Sequence, residues 1–116
     1  MDIDSLRKLC LGLKGTTEDI KWEHDLCFSI GAKMYCITGF EQPMKMTLKV
    51  PAEEFEKRIQ TPGIIPAPYL ARAKWIMIEN VAKFKRQEIE FLILQSYELI
   101  KGKLTKKALR DLGLDI

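Results

Sequence analysis

The chain has 116 residues, of which 19 are Lys or Arg and 16 are Asp or Glu, so its formal net charge is only +3. Its hydrophobic content of 47% and charged content of 30% are typical of a globular protein. These values argue against a strongly basic nucleic-acid-binding stripe, and the sequence has no apolar run near the roughly 20 residues that span a membrane.

The length predicts a single domain, residues 1–116, with a substantial core. The N-terminus, Met1-Asp2-Ile3-Asp4, opens with acidic residues, whereas a secretory signal opens with positive charge and a continuous apolar stretch. We therefore expect a cytoplasmic protein without a membrane partner.

The first predicted element is a helix with one buried stripe. Asp2 or Asp4 can cap its N-terminus, and Gly15 lies just past its end. Cys10 falls on the apolar stripe, which is spaced as in a helix and comprises Ile3, Leu6, Leu9, Cys10 and Leu13.

Three short segments of alternating character follow: Leu26 to Ile30, Met34 to Phe40, and Met44 to Val50. The turn signals between them predict an antiparallel meander. In the third strand, alternation assigns Met44, Met46, Leu48 and Val50 to the core and Lys45, Thr47 and Lys49 to a face that meets solvent or a ligand.

The second half of the chain is predicted to be mostly helical. Helices are expected from Pro51 to about Gln60, from about Gln87 to Ile100, and from Lys106 to Leu112, with a strand at about Lys74 to Asn80. Strands followed by helices predict an α+β fold, an antiparallel β-sheet meander covered on one face by the N- and C-terminal helices. We expect Ile89, Leu92, Ile93, Ser96 and Ile100 to pack against Met44, Met46 and Leu48.

The segment from Pro62 to Ile78 combines three prolines with aromatic and basic residues. Proline restricts its own φ and biases the residue before it to extended geometry, so the chain enters at Tyr69 in a defined direction. Tyr69 and Trp75 could form a stacking lip, or they could be core residues. Arg72 and Lys74 are candidate phosphate contacts.

Other cations are distributed along the chain. Lys33 lies at a predicted hairpin tip, and Lys45 and Lys49 share the outer face of the third strand. Such lysines either bind an anionic partner or only solvate a surface. The C-terminal part is the more basic, because residues 71–116 carry 10 Lys and Arg against 6 Asp and Glu.

The sequence offers no reactive or metal-binding constellation. His24 is the only histidine, and Cys10, Cys27 and Cys36 lack the C-x-x-C spacing of a zinc site. We interpret the three cysteines as buried reduced thiols and Ser96 as a back-bonded core hydroxyl, and we expect no metal, no cofactor and no enzymatic activity.

Taken together, these residues resemble the MmcQ/YjbR family of small bacterial proteins. The matching residues are Lys21-Trp22-Glu23, Phe28, Gly31 to Met34, Lys49, Pro66 to Leu70, Arg72, Trp75, Ser96 to Leu99 and Lys103. The resemblance implies a frataxin-like sandwich and DNA binding through a double wing of β-hairpins. Where many members have a Pro and a Gly before the first strand, this chain has Trp22-Glu23-His24-Asp25.

Two functions remain open from the sequence. The first is a non-enzymatic DNA-binding module that contacts phosphates through Lys33, Lys45, Lys49, Arg72 and Lys74. The alternative is a protein-interaction or small-ligand-binding module that uses a cleft near Pro66 to Trp75.

Overall fold

The computed structural model describes residues 1–114. The elements are α1 (Ile3–Leu11), β1 (Thr16–Lys21), β2 (Asp25–Ile30), β3 (Lys33–Gly39), β4 (Met46–Lys49), α2 (Ala52–Ile59), β5 (Ile64–Pro66), β6 (Trp75–Ile78), α3 (Arg86–Lys101) and α4 (Lys106–Asp111). Short 3₁₀ turns at Ala71–Ala73 and Val81–Lys83 precede and follow β6.

The strands form one six-stranded antiparallel sheet in the order β1-β2-β3-β4-β6-β5. The predicted α+β fold is confirmed, but the sheet is larger than predicted because β1 and β5 were missed. β1 is an edge strand whose only apolar residue is Ile20, and β5 has three residues and ends in Pro66. Neither carries the apolar alternation that marks a strand in sequence.

The register divides the central strands into two faces. Phe28, Cys36, Leu48 and Ile76 are consecutive cross-strand neighbours, and each is completely buried. We call this side, on which α3 packs, the covered face. The opposite side, which we call the open face, carries the row Cys27, Ile37, Thr47 and Met77.

Helix α3 is the main cover of the sheet, as predicted. It contacts β2, β3 and β4, and Ile89, Leu92, Ile93, Ser96 and Ile100 are all buried. Helix α1 contacts β1, and α2 contacts β5 and β6. Gln95 of α3 donates a hydrogen bond of 3.1 Å to Glu54 of α2, so these two helices lie side by side.

Ser96 does not bond back to its own helix. A bulge opens β3, since Phe28 pairs with Cys36 while Ser29 pairs with Met34, which leaves Tyr35 outside the register. The Ser96 hydroxyl donates to the Tyr35 carbonyl at 2.6 Å and accepts from the Lys49 amide at 3.0 Å. A helix side chain therefore completes the hydrogen bonding between β3 and β4 where direct pairing ends.

Two helices, α1 and α4, begin with a side-chain cap, and Asp2 is one of the two residues predicted to cap α1. Asp2 accepts from the Ser5 amide at 2.8 Å, and Thr105 accepts from the Ala108 amide at 3.0 Å. The longest helix, α3, has 16 residues and carries several charges, and no helix within residues 1–114 is long and apolar enough to cross a membrane.

Candidate functional site

A groove crosses the open face of the sheet. Its floor comprises Ile37 of β3, Thr47 of β4 and Met77 of β6, with Asp25 of β2 at the side. These four residues line two adjoining recesses, one of about 460 Å³ and one of about 250 Å³. We call this feature the aromatic groove, because exposed aromatic side chains line both recesses.

The larger recess lies between Trp22, in the turn after β1, and the segment Pro68 to Leu70. Trp22 is 59% exposed and Tyr69 is fully exposed. Trp22 has φ 52° and Tyr69 has φ 66°, which is the left-handed region that bulky side chains rarely adopt. Both aromatic rings are thus held toward solvent on strained backbone.

The Pro-rich segment positions Tyr69 through its anchored ends. The Ala67 amide donates to the Trp75 carbonyl at 3.0 Å, and the Trp75 amide donates to the Leu70 carbonyl at 3.3 Å. Ala67 and Trp75 are buried, so they fix the two ends of a loop whose tip is Tyr69. Of the two residues considered for a stacking lip or for the core, Trp75 is a core residue and Tyr69 is on the surface.

The smaller recess lies at the other end of the groove. His24, Phe40, Glu41 and Lys45 contribute to its lining beside the shared floor. Its charges are mixed in sign, whereas Asp25 is the one charged residue in the lining of the larger recess.

The predicted cations do not share one surface. The antiparallel register brings Lys33, Lys49, Arg72 and Lys74 to the same end of the sheet, which we call the basic end. Lys45 precedes β4 and so lies at the opposite end, beside Gly39.

Lys49 was expected on an exposed face, and that expectation is wrong. Its side chain is only 9% exposed, and its Nζ donates to the Ala73 carbonyl. Lys74 has φ 66° and places its Nζ 5.0 Å from the centre of the Phe55 ring. Alternation along β4 separates Lys49 from the core residues Leu48 and Val50. It does not show that the chain around Ala73 covers the Lys49 side chain.

The three cysteine thiols lie in the core of the protein. Cys10, Cys27 and Cys36 are free and buried, and Cys27 and Cys36 lie on neighbouring strands, as predicted. Burial raises the pKa of the Cys27 thiol to about 11, which opposes formation of a reactive thiolate. Within residues 1–114, no three His, Cys, Asp or Glu side chains are grouped as metal ligands.

Comparison with known proteins settles the family. The family model YjbR matches residues 11–99. The chain belongs to the YjbR family. A crystal structure of a Deinococcus radiodurans protein with a DUF419 domain is similar in fold, with a TM-score of 0.88 and 27% identity over 98% of this chain and 89% of that one.

A second solved structure, of a Pseudomonas syringae protein, has a TM-score of 0.72 and 22% identity over 86% of this YjbR chain and 99% of that one. This likeness supports the fold alone. A search of the curated proteins finds no match.

Sequence reasoning missed several groove residues. Trp22 entered the sequence analysis only through the family resemblance, as part of a matching run and of a departure from the family pattern, and Ile37 and Met77 were predicted only as strand residues. The available signal was the polar run Glu23-His24-Asp25 directly after Trp22, which places this tryptophan in a turn, away from the core.

Proposed function

We propose that this YjbR-family protein is a non-enzymatic binding module whose ligand lies in the aromatic groove. The main support for this proposal is a pair of exposed aromatic rings, Trp22 and Tyr69, which are held on left-handed backbone beside the apolar floor of the groove. Such backbone costs on the order of 1–3 kcal/mol per residue and concentrates at functional sites. At Trp22 the left-handed backbone also forms the hairpin turn between β1 and β2, so the exposure of the two large rings is the part that turn geometry does not require.

The dimensions and lining of the groove are suited to a small ligand or a short peptide segment. Ligand pockets commonly enclose roughly 300–1,000 Å³ and combine apolar walls with few polar groups. The larger recess, of about 460 Å³, is within this range. Its apolar floor and two aromatic rings favour an apolar or aromatic ligand, and Asp25 offers a carboxylate to a hydrogen-bond donor on that ligand.

Titration with the fluorescent probe 8-anilinonaphthalene-1-sulfonate tests the groove. We expect the native protein to bind the probe saturably, and the Tyr69→Ala and Trp22→Gly variants to bind it at least about tenfold more weakly, as loss of a buried aromatic contact does. Ile20→Ala is the matched control, because Ile20 is 60% exposed but does not line the groove.

Equal probe affinity in the native protein and in both groove variants would contradict the proposal. Equal weakening in the Ile20→Ala control would show general surface adsorption and would contradict it as well.

DNA binding is a second candidate function, which the basic end of the sheet favours. Lys33 and Arg72 are exposed there, and the contact between Gly31 and Leu104 brings the β2–β3 turn next to the cations that follow α3. The basic excess of residues 71–116 supports the same candidate.

Titration against duplex DNA at two salt concentrations tests this candidate. Each lost phosphate contact lowers the magnitude of the salt slope by about 0.9, so the Lys33→Ala/Arg72→Ala variant should lose nearly two slope units. Lys45→Ala is the control at the opposite end of the sheet. Absence of native binding at low salt, or an unchanged slope in the double variant, would exclude DNA contact through these residues.

A further inference from the structure

Within residues 1–114, Lys49 is a buried cation that forms no ion pair with an Asp or Glu side chain. Its side chain is 9% exposed, and its Nζ, which has three N–H groups, donates to the Ala73 carbonyl. The ion pairs found among residues 1–114 include those of Arg7, Arg58, Arg86 and Lys101 with Asp or Glu. Burial of an unpaired ammonium is unfavourable, so the position of Lys49 lowers the stability of the fold unless another group pairs with its charge.

The charges nearest to Lys49 make its burial less favourable. Burial lowers the pKa of Lys49, and Lys103 and Lys74 lower it further because they are cations close to it. Lys74 itself stands on left-handed backbone at φ 66°. The backbone supports this grouping: the Val50 amide donates to the Lys74 carbonyl at 3.0 Å, and Leu104 lies against Gly31, so Lys74 and the segment that carries Lys103 are at the same end of the sheet as Lys49. The three like charges repel one another there.

An anion relieves each of these costs at once. It would pair with the buried ammonium, offset the repulsion among the three lysines and accept the remaining N–H groups of Lys49. A dianionic group with several acceptor oxygens matches three cations better than a singly charged one does. Because Lys49 is recessed, a terminal group can reach it more easily than the continuous backbone of a duplex can.

We propose that Lys49, Lys74 and Lys103 form a binding site for a phosphomonoester group. The site lies at the basic end of the sheet, does not depend on the aromatic groove, and differs from the DNA candidate in using a recessed lysine and a terminal phosphate. Lys49 supplies the buried charge, and Lys103 and Lys74, whose Nζ lies over the Phe55 ring, supply the further positive charges that offset the phosphate.

Titration of lysine ¹³Cε resonances with inorganic phosphate at constant ionic strength tests the site. We expect saturable shifts at Lys49, Lys74 and Lys103 that chloride does not produce. Lys49→Met keeps most of the apolar stem and removes the charge, and it should weaken phosphate binding at least about tenfold, as loss of a charged hydrogen bond does. Lys45→Met is the control and should bind phosphate as the native protein does.

Further titrations identify the class of phosphate. A 5′-mononucleotide and a phosphoserine peptide should compete with inorganic phosphate, because each carries a phosphomonoester, and a preference between them identifies the source of that group. A short duplex without terminal phosphates should compete at least about tenfold more weakly, since it lacks the second charge.

Three results would overturn the proposal. They are equal shifts with chloride and phosphate, unchanged phosphate affinity in Lys49→Met, and equal competition by the duplex without terminal phosphates. The probe-binding test of the aromatic groove uses other residues, so failure at one site is distinguishable from failure at the other.

Discussion

The two faces of the sheet are both largely buried along β3 and β4, but by different means. On the covered face, Cys36 and Leu48 are completely buried beneath α3. On the open face, Ile37 and Thr47 retain 9% exposure each and line a groove. The covered face is thus filled by helix side chains, whereas the open face keeps a groove between the turn at Trp22 and the loop at Tyr69.

The largest expected difference between the faces is in stability. Leu48→Ala should lower the free energy of unfolding by about 2–5 kcal/mol, because it opens a cavity under α3. Thr47→Ala, the next residue along the same strand, should cost no more than about 1 kcal/mol, the span of strand propensities. Urea denaturation measures both. Equal costs would mean that the two faces are packed alike.

A second comparison uses two buried serines. Ser96→Ala should cost about 1–3 kcal/mol, because the Tyr35 carbonyl and the Lys49 amide each lose a hydrogen-bond partner. Ser29→Ala is the matched control, since Ser29 is 8% exposed and lies on β2 toward the open face.

Native-state hydrogen exchange gives an independent measurement of this effect. The Lys49 amide should lose protection in Ser96→Ala and keep it in Ser29→Ala. A near-neutral Ser96→Ala with a protected Lys49 amide would show that β3 and β4 pair without the serine.

The smallest effect has the opposite sign. Trp22→Gly should raise the free energy of unfolding by up to about 1 kcal/mol, because glycine adopts φ 52° without strain and this relief exceeds the entropic cost of ordering a glycine. The same variant should lose probe binding in the groove. A marked loss of stability would instead make Trp22 a packing residue.

Ala32→Gly serves as the control for Trp22→Gly. Ala32 has φ 65° in the β2–β3 turn and lies outside the groove, so its replacement should relieve strain without changing probe binding. Thermal or urea unfolding of both variants then separates the two effects.

Elements whose apolar residues repeat at helical or strand spacing could be predicted from the sequence. The buried stripe of α3 repeats at helical spacing, so both its existence and its packing against the sheet followed from the sequence. β1 was not predictable in this way, because Thr16–Lys21 is a polar edge strand whose pairing depends on backbone hydrogen bonds to β2.

The candidate sites depended on tertiary contacts that no local pattern encodes. Tyr69 and Trp75 are both aromatic residues that follow Pro68 in sequence, but pairing with β4 and the hydrogen bond from Ala67 hold Trp75 in the sheet, whereas Tyr69 is exposed. The burial of Lys49 likewise depends on the segment around Ala73, which is more than 20 residues away in sequence.

The Ser96 bridge also has a consequence for the order of assembly during synthesis. Residues Tyr35 and Lys49 leave the ribosome well before residue 96, so their backbone groups have no serine partner while the first half of the chain is being made. The junction between β3 and β4 is completed only after α3 docks. The nascent sheet therefore reaches its final hydrogen bonding only after α3 has been synthesised and has docked, and a chain truncated before α3 would leave the Tyr35 carbonyl and the Lys49 amide without their serine partner.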